Sequence, residues 1–116
     1  MAYMNQERKA TIAVNLKPVL QKYGMKGTLK VHSHSTIVLT LKRGPIDFGK
    51  TEGSVNVYWI DHHFDGVARD FLKEAYDALL SAGWYDRSDA MVDHFDIAYY
   101  ANINVGAWKK PYELVQ

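Results

Sequence analysis

Five histidines stand at positions 32, 34, 62, 63 and 94. His32 and His34 are two apart, the spacing that sets side chains on one face of a strand. Asp61-His62-His63 and Asp93-His94 place carboxylates beside imidazoles. Neutral imidazole with carboxylate can hold zinc or another transition ion. His32, His62, His63 and His94 are the candidate ligands, and a metal-dependent hydrolase or a small-ligand binder would be built on them. Against this, Ser35 can break the strand beside His34, and no HExxH helical pair is present. Surface or loop-end histidines, with no cofactor, are the expected reading. Asp86, Asp89, Asp93 and Asp96 offer oxygens that a hard cation accepts, but the EF-hand glycine and final glutamate are missing. Asp86, Ser88 and Asp89 also form turns and caps well, and structural use is expected. The chain has no cysteine, which excludes disulfides, thiolate sites and thiol nucleophiles. GxSxG, phosphate-loop and dinucleotide fingerprints are absent as well, so binding is expected ahead of catalysis.

A different kind of chemistry lies in residues 93–108, DHFDIAYYANINVGAW. Phe95, Ile97, Tyr99, Ala101, Ile103 and Val105 occupy alternate positions, with Asp96, Ala98, Tyr100, Asn102 and Asn104 between them. Period two over this length predicts a strand with one apolar face and one phenol/amide face. Such groups on a rigid platform recognise polar ligands, and tyrosine faces can stack on bases.

The elements that position this strand follow from the same periodicities. Ile12, Leu16, Val19, Leu20 and Tyr23 predict a helix over 5–23, with Asn5 as N-cap, Gly24 as stop, and a kink or break at Pro18. Residues 27–43 predict a β-hairpin turning at 33–35. Residues 44–54 hold three Gly and one Pro and predict a loop. Residues 55–60 (VNVYWI) predict a short third strand. Val67, Phe71, Leu72, Ala75, Ala78, Leu79 and Ala82 predict a helix over 65–82, with Asp65 as N-cap and Gly83 as stop. Residues 84–93 predict a loop. Trp108 and Tyr112 are expected to anchor the tail. The order α-β-β-β-α-β predicts a single α+β domain over residues 1–116. It has two layers: a mainly antiparallel four-stranded sheet, its longest strand central, with two helices on one face. The other sheet face, open to solvent or a partner, would carry Lys30, His32, Thr36, Thr40, Lys42, Asn56, Tyr58, Tyr100, Asn102 and Asn104. Within this set Lys30, His32, Lys42, Tyr58, Tyr100, Asn102 and Asn104 are the candidate binding residues.

The net charge of +1 conceals an asymmetry. Residues 1–50 hold nine Lys/Arg against two acids (+7), and residues 51–116 hold five against eleven (−6). Charge segregated in this way points to a charged surface for a partner. The alternative is that the two segments interleave in space and cancel. Arg8, Lys9, Lys17, Lys22, Lys26, Lys30, Lys42 and Arg43 could track a phosphate backbone. The α-β-β-β-α order is shared with double-stranded-RNA-binding domains, but where those carry lysines at the start of the last helix this chain reads DHHFDGVARD, which is acidic. No apolar run approaches the roughly 18 residues of a membrane span, and MAYMNQERK carries no signal-peptide core. A cytosolic setting is expected.

Three stretches, KYGMKGTLKVHSHSTIVLTLKRGPIDF, HFDGVARDFLKE and YDRSDAMVDHFDIAYYANINVGAWKKPY, carry a resemblance covering most of the chain. Together, with DRSD, DHFD and NINVGAWKKPY in that order, they resemble small proteins of tailed bacteriophages and the large polyvalent protein-associated domain family of phages and conjugative elements. The resemblance supplies no catalytic residue. It implies action in the cytoplasm of a bacterial host, where a host protein is the expected partner, with a counter-defence or host-takeover role. Nucleic acid is the alternative partner, and association with a second copy stays open.

Overall fold

The computed structural model describes residues 4–84, 99–107 and 109–115. Helix α1 spans Gln6–Tyr23. Asn5 caps it, its Oδ1 accepting from the Arg8 N–H at 2.7 Å, and Gly24 closes it at φ 68. The expected break at Pro18 does not occur. Pro18 and Val14 both lie on the water side of the helix, so the carbonyl that Pro18 leaves without an intrahelical donor can be solvated. Ile12 and Leu16 are buried and Val19, Leu20 and Tyr23 half-buried, as the stripe required.

Strands β1 (Lys26–His32) and β2 (Thr36–Gly44) form the expected antiparallel hairpin. Its three-residue turn places Ser33 and His34 at φ 54 and 59, with the Ser35 N–H returning to the His32 carbonyl at 3.2 Å; positive φ at both central positions favours Gly and Asn there. A left-handed non-glycine residue costs roughly 1–2 kcal/mol, part of which glycine gives back as unfolded-chain entropy. His34→Gly is therefore expected to stabilise the protein by about 0.5–1 kcal/mol, read as an upward shift of the urea midpoint. The Met4 N–H bond to the His34 carbonyl (2.7 Å) uses backbone only and survives the change.

The predicted strand over 55–60 is corrected. Strand β3 is Gly53–Val55, and the chain then turns into a short helix α2, Ile60–His63. Asn56 causes the turn: its Oδ1 accepts from the Tyr58 N–H (3.1 Å) and its carbonyl from the Trp59 N–H (3.0 Å). Side-chain capture of a backbone N–H two residues on competes with extended structure. Helix α3, Gly66–Leu79, begins after Asp65, whose side chain makes no capping bond, and ends with Leu80 as its C-cap, short of the expected stop at Gly83. Ala68, Phe71, Leu72, Ala75, Ala78 and Leu79 are its buried face, whereas Val67, expected in the stripe, is exposed.

Strand β4 is Tyr100–Val105, and β5 is Glu113–Leu114. The sheet order is β1-β2-β4-β3, with β5 joined to β2. The α+β, two-layer class holds, and the segment expected as the longest strand is central. The pairing is mixed rather than mainly antiparallel: β2–β4 and β2–β5 are parallel, while β1–β2 and β3–β4 are antiparallel. The register sets Ile37 against Ala101, Leu39 against Ile103 and Leu41 against Val105. These inward residues meet α1 and α3 in one hydrophobic cluster. The outer half of the expected strand, with Phe95 and Ile97, and the acids Asp86, Asp89, Asp93 and Asp96 lie outside the described residues.

Two buried tyrosines tie the ends of the elements together. Tyr99 donates its hydroxyl to the Leu79 carbonyl at 2.7 Å, joining β4 to the end of α3. Tyr112 donates to the Ile46 carbonyl at 2.8 Å and packs edge-on against Phe48. Burial holds both phenols above their ordinary pKa. Tyr112 anchors the tail as expected, and Trp108 lies outside the described residues.

Candidate binding surface

With the helices on one side, alternate residues of β1, β2 and β4 face the other way. The register arranges them in three cross-strand rows: His32–Thr36–Tyr100, Lys30–Val38–Asn102, and Thr28–Thr40–Asn104–Ser54. Lys30, His32 and Asn102 are exposed, Tyr100 is 48% exposed, and Asn104 and Thr40 are half-buried. Thr36 is buried and so withdrawn from the surface. Tyr58 is 85% exposed, but it rides the β3–α2 turn, not a strand row. Asn56 lies in the same turn, its side chain committed to the backbone.

The rows end in a basic cleft. Strand β4 runs into Gly106 and a tight turn in which Ala107 and Lys110 exchange backbone bonds of 2.9 Å each way, with Lys109 at φ 67. That turn sets Lys109 and Lys110 beside Lys42 and Arg43 at the end of β2 and Lys26 at the start of β1. The five cations and Thr40 line an open cleft of about 560 Å³, with Glu113 as its one carboxylate among the described residues. Lys42 belongs to the surface expected from the strand alternation. Lys109 and Lys110 do not, although the pair is plain in WKKPY.

Three cations of the helical side meet carboxylates of the same chain. Lys22 pairs with Glu74 (3.0 Å), Arg69 with Asp70 (3.4 Å) and Lys73 with Asp61 (3.2 Å), all on the helical side. The Glu74 carboxylate also accepts from the Tyr23 hydroxyl, and these two donors, Tyr23 first and Lys22 second, hold its pKa below the ordinary value. Among the described residues Lys26, Lys42, Arg43 and Lys110 make no ion pair. Of these three pairs only Lys22–Glu74 joins the basic segment to the acidic one. Glu74 of α3 answers Lys22 of the basic set, and the sheet end keeps its positive field, which strengthens in a concave site. The eight-residue basic set divides accordingly. Arg8, Lys9, Lys17 and Lys22 ride α1, with the Arg8 guanidinium 5.4 Å from the Tyr99 ring centroid, while Lys26, Lys30, Lys42 and Arg43 belong to the sheet.

No protein-family model, curated protein or solved structure matches this chain.

The candidate metal ligands are dispersed. His32 is exposed at the end of β1, and His62 and His63 are exposed on α2, where His62 packs against Trp59 with ring centroids 4.9 Å apart. His94 lies outside the described residues. Among the described residues no group of three or more His, Asp or Glu side chains could hold a metal. No helix among them is long and apolar enough to cross a membrane.

Proposed function

We propose that this chain is a non-enzymatic accessory protein that binds another macromolecule through the open sheet face and the basic cleft at its end, and that the partner presents an acidic protein surface. The observation that carries the reading is the cleft: five cations from three parts of the chain and, among the described residues, a single carboxylate, beside rows of Lys, Thr, Asn and Tyr. These groups attract and hydrogen-bond. Long-range complementarity of this kind raises association rate and selects partners. In the phage setting that the sequence resemblance implies, the partner is a host protein in the bacterial cytoplasm, and the role is counter-defence or host takeover. Capture from bacterial lysate at low and high salt, read by mass spectrometry, tests this. Acidic proteins should be enriched at low ionic strength and lost as salt rises. Absence of any enriched protein across the series would overturn it.

The same five cations favour a second reading, nucleic-acid binding. Tyr100 is the one aromatic side chain seen on this face among the described residues, so a stacking platform for successive bases is not built, and phosphate contact would carry the affinity. Gel shifts with DNA and RNA decide. Engagement of about five duplex phosphates predicts a log–log salt slope of about −4.5.

A further inference from the structure

We infer that the free edge of β1, together with the groove between β1 and α1, accepts an extended acidic segment of a partner protein as an added strand. This deepens the protein-binding reading; the groove adjoins the sheet rows at Thr28 and the basic cleft at Lys26, which lines both.

The inward positions of the sheet are not equally covered. Ile37, Leu39, Leu41, Ile103 and Val105 are all 0% exposed. Their counterparts on β1, namely Gly27, Leu29 and Val31, are only half-buried. The helical layer stops short of the edge. The gap is a groove of about 470 Å³ floored by Ala13, Leu16, Leu20, Met25 and Leu29. Among the described residues every ionisable side chain lining it is a lysine: Lys9, Lys17 and Lys26.

Beside this groove β1 presents seven residues of strand, and among the described residues no strand pairs with its outer side. An edge of that length is a template for strand addition, in which main-chain bonds supply affinity and alternate side chains supply selectivity. The opposite edge offers no such template. Strand β3 has three residues, and the Lys50 ammonium already binds the Ser54 carbonyl there at 2.6 Å. The chemistry of the β1 side specifies its occupant. Alternate apolar side chains would complete the inner layer over Leu29 and Val31, and carboxylates would answer Lys9, Lys17 and Lys26. Edge lysines discourage indiscriminate pairing, and the same charges admit an acidic strand while rejecting a basic one. A second copy fits poorly, because it would bring its own lysine-lined groove against this one.

The test uses a fluorescent seven-residue peptide alternating valine and glutamate, a version with lysine for glutamate, and one N-methylated at alternate amides. Anisotropy measures binding, and amide hydrogen exchange maps it. The acidic peptide should bind at least tenfold tighter than either control and slow exchange within residues 26–32. Lys9→Glu with Lys17→Glu should weaken it at least tenfold, and Lys42→Glu with Lys110→Glu should weaken it by less than about threefold, through the general change of charge alone. Equal binding of the controls, or absence of protection in 26–32, overturns the inference. So does light scattering that shows a dimer with that edge already protected. Loss of peptide binding on Lys42→Glu with Lys110→Glu would place the peptide in the cleft, which overturns the edge site while sparing the sheet-face reading.

Discussion

Lys42→Glu combined with Lys110→Glu is expected to weaken capture of the acidic partner by about 100-fold or more, because like charges brought together at an interface cost several kcal/mol. The pair changes the cleft by four charge units and leaves the fold alone. Both side chains are exposed, and the Ala107–Lys110 bridge is made by backbone. Arg43 is left in place because it sits opposite Glu113 in the β2–β5 pairing, where a new carboxylate would add cross-strand repulsion. The matched control is Lys22→Glu with Lys73→Glu, the same net change placed on the helical side. Those two lysines serve exposed ion pairs, each worth about 0–1 kcal/mol, and the new carboxylates would stand beside Glu74 and Asp61 at a similar cost. The control should therefore lose some stability yet, where folded, bind within about threefold of the parent protein, about 0.7 kcal/mol. Equal losses in both variants would mean that overall charge, and not the cleft, governs binding. Titration of the purified partner by calorimetry or interferometry reads the difference directly.

Gly106→Ala is expected to cost about 2–5 kcal/mol of stability, the sum of left-handed strain and overpacking. Gly106 is buried at φ 71, and a methyl group there would stand 2.3 Å from the Thr51 carbonyl oxygen and 2.7 Å from the Tyr112 nitrogen. Both are backbone atoms and are bonded to each other at 2.7 Å, so neither can rotate aside. Gly49→Ala separates the two costs. Gly49 has φ 78, but a methyl group added there would meet nothing within 4 Å, and the strain alone should cost about 1 kcal/mol. Urea denaturation of the two variants measures the difference. Because Gly106 leads into the turn bearing Lys109 and Lys110, its substitution should also weaken capture, at temperatures where the variant remains folded.

The link between that glycine and the cleft explains what is legible in the sequence and what is not. Both long helices, the hairpin and the inward set Ala101, Ile103 and Val105 are visible as periodicities, because each records which side of an element meets the core. The polar face of β4 follows from the same alternation. Strand direction leaves no such record. With β4 antiparallel to β2, the end of β4 would lie beside Thr36, and Lys109 and Lys110 would be far from Lys42 and Arg43. The parallel register of Leu41 with Val105 brings both pairs to one end, and the cleft exists only for that reason. The Asn56 turn is hidden in another way. Val55, Val57 and Trp59 alternate as a strand would, and a single side-chain-to-backbone bond at Asn56 outweighs them. The partial cancellation of charge is likewise invisible in the sequence, because it depends on which acids α3 sets beside α1.

The parallel pairing of β2 and β4 also has a consequence for how the chain is made. A ribosome adding roughly 5–20 residues per second needs several seconds to deliver the roughly 55 residues between the end of β2 and the start of β4. Through that interval the hairpin can close on itself, yet one flank of β2 waits with its amides and carbonyls unanswered and Ile37, Leu39 and Leu41 incompletely shielded. Synthesis rate and chaperone occupancy, more than equilibrium stability, then decide how much of the nascent product escapes aggregation, and codons that slow translation between positions 45 and 99 would lengthen the exposure.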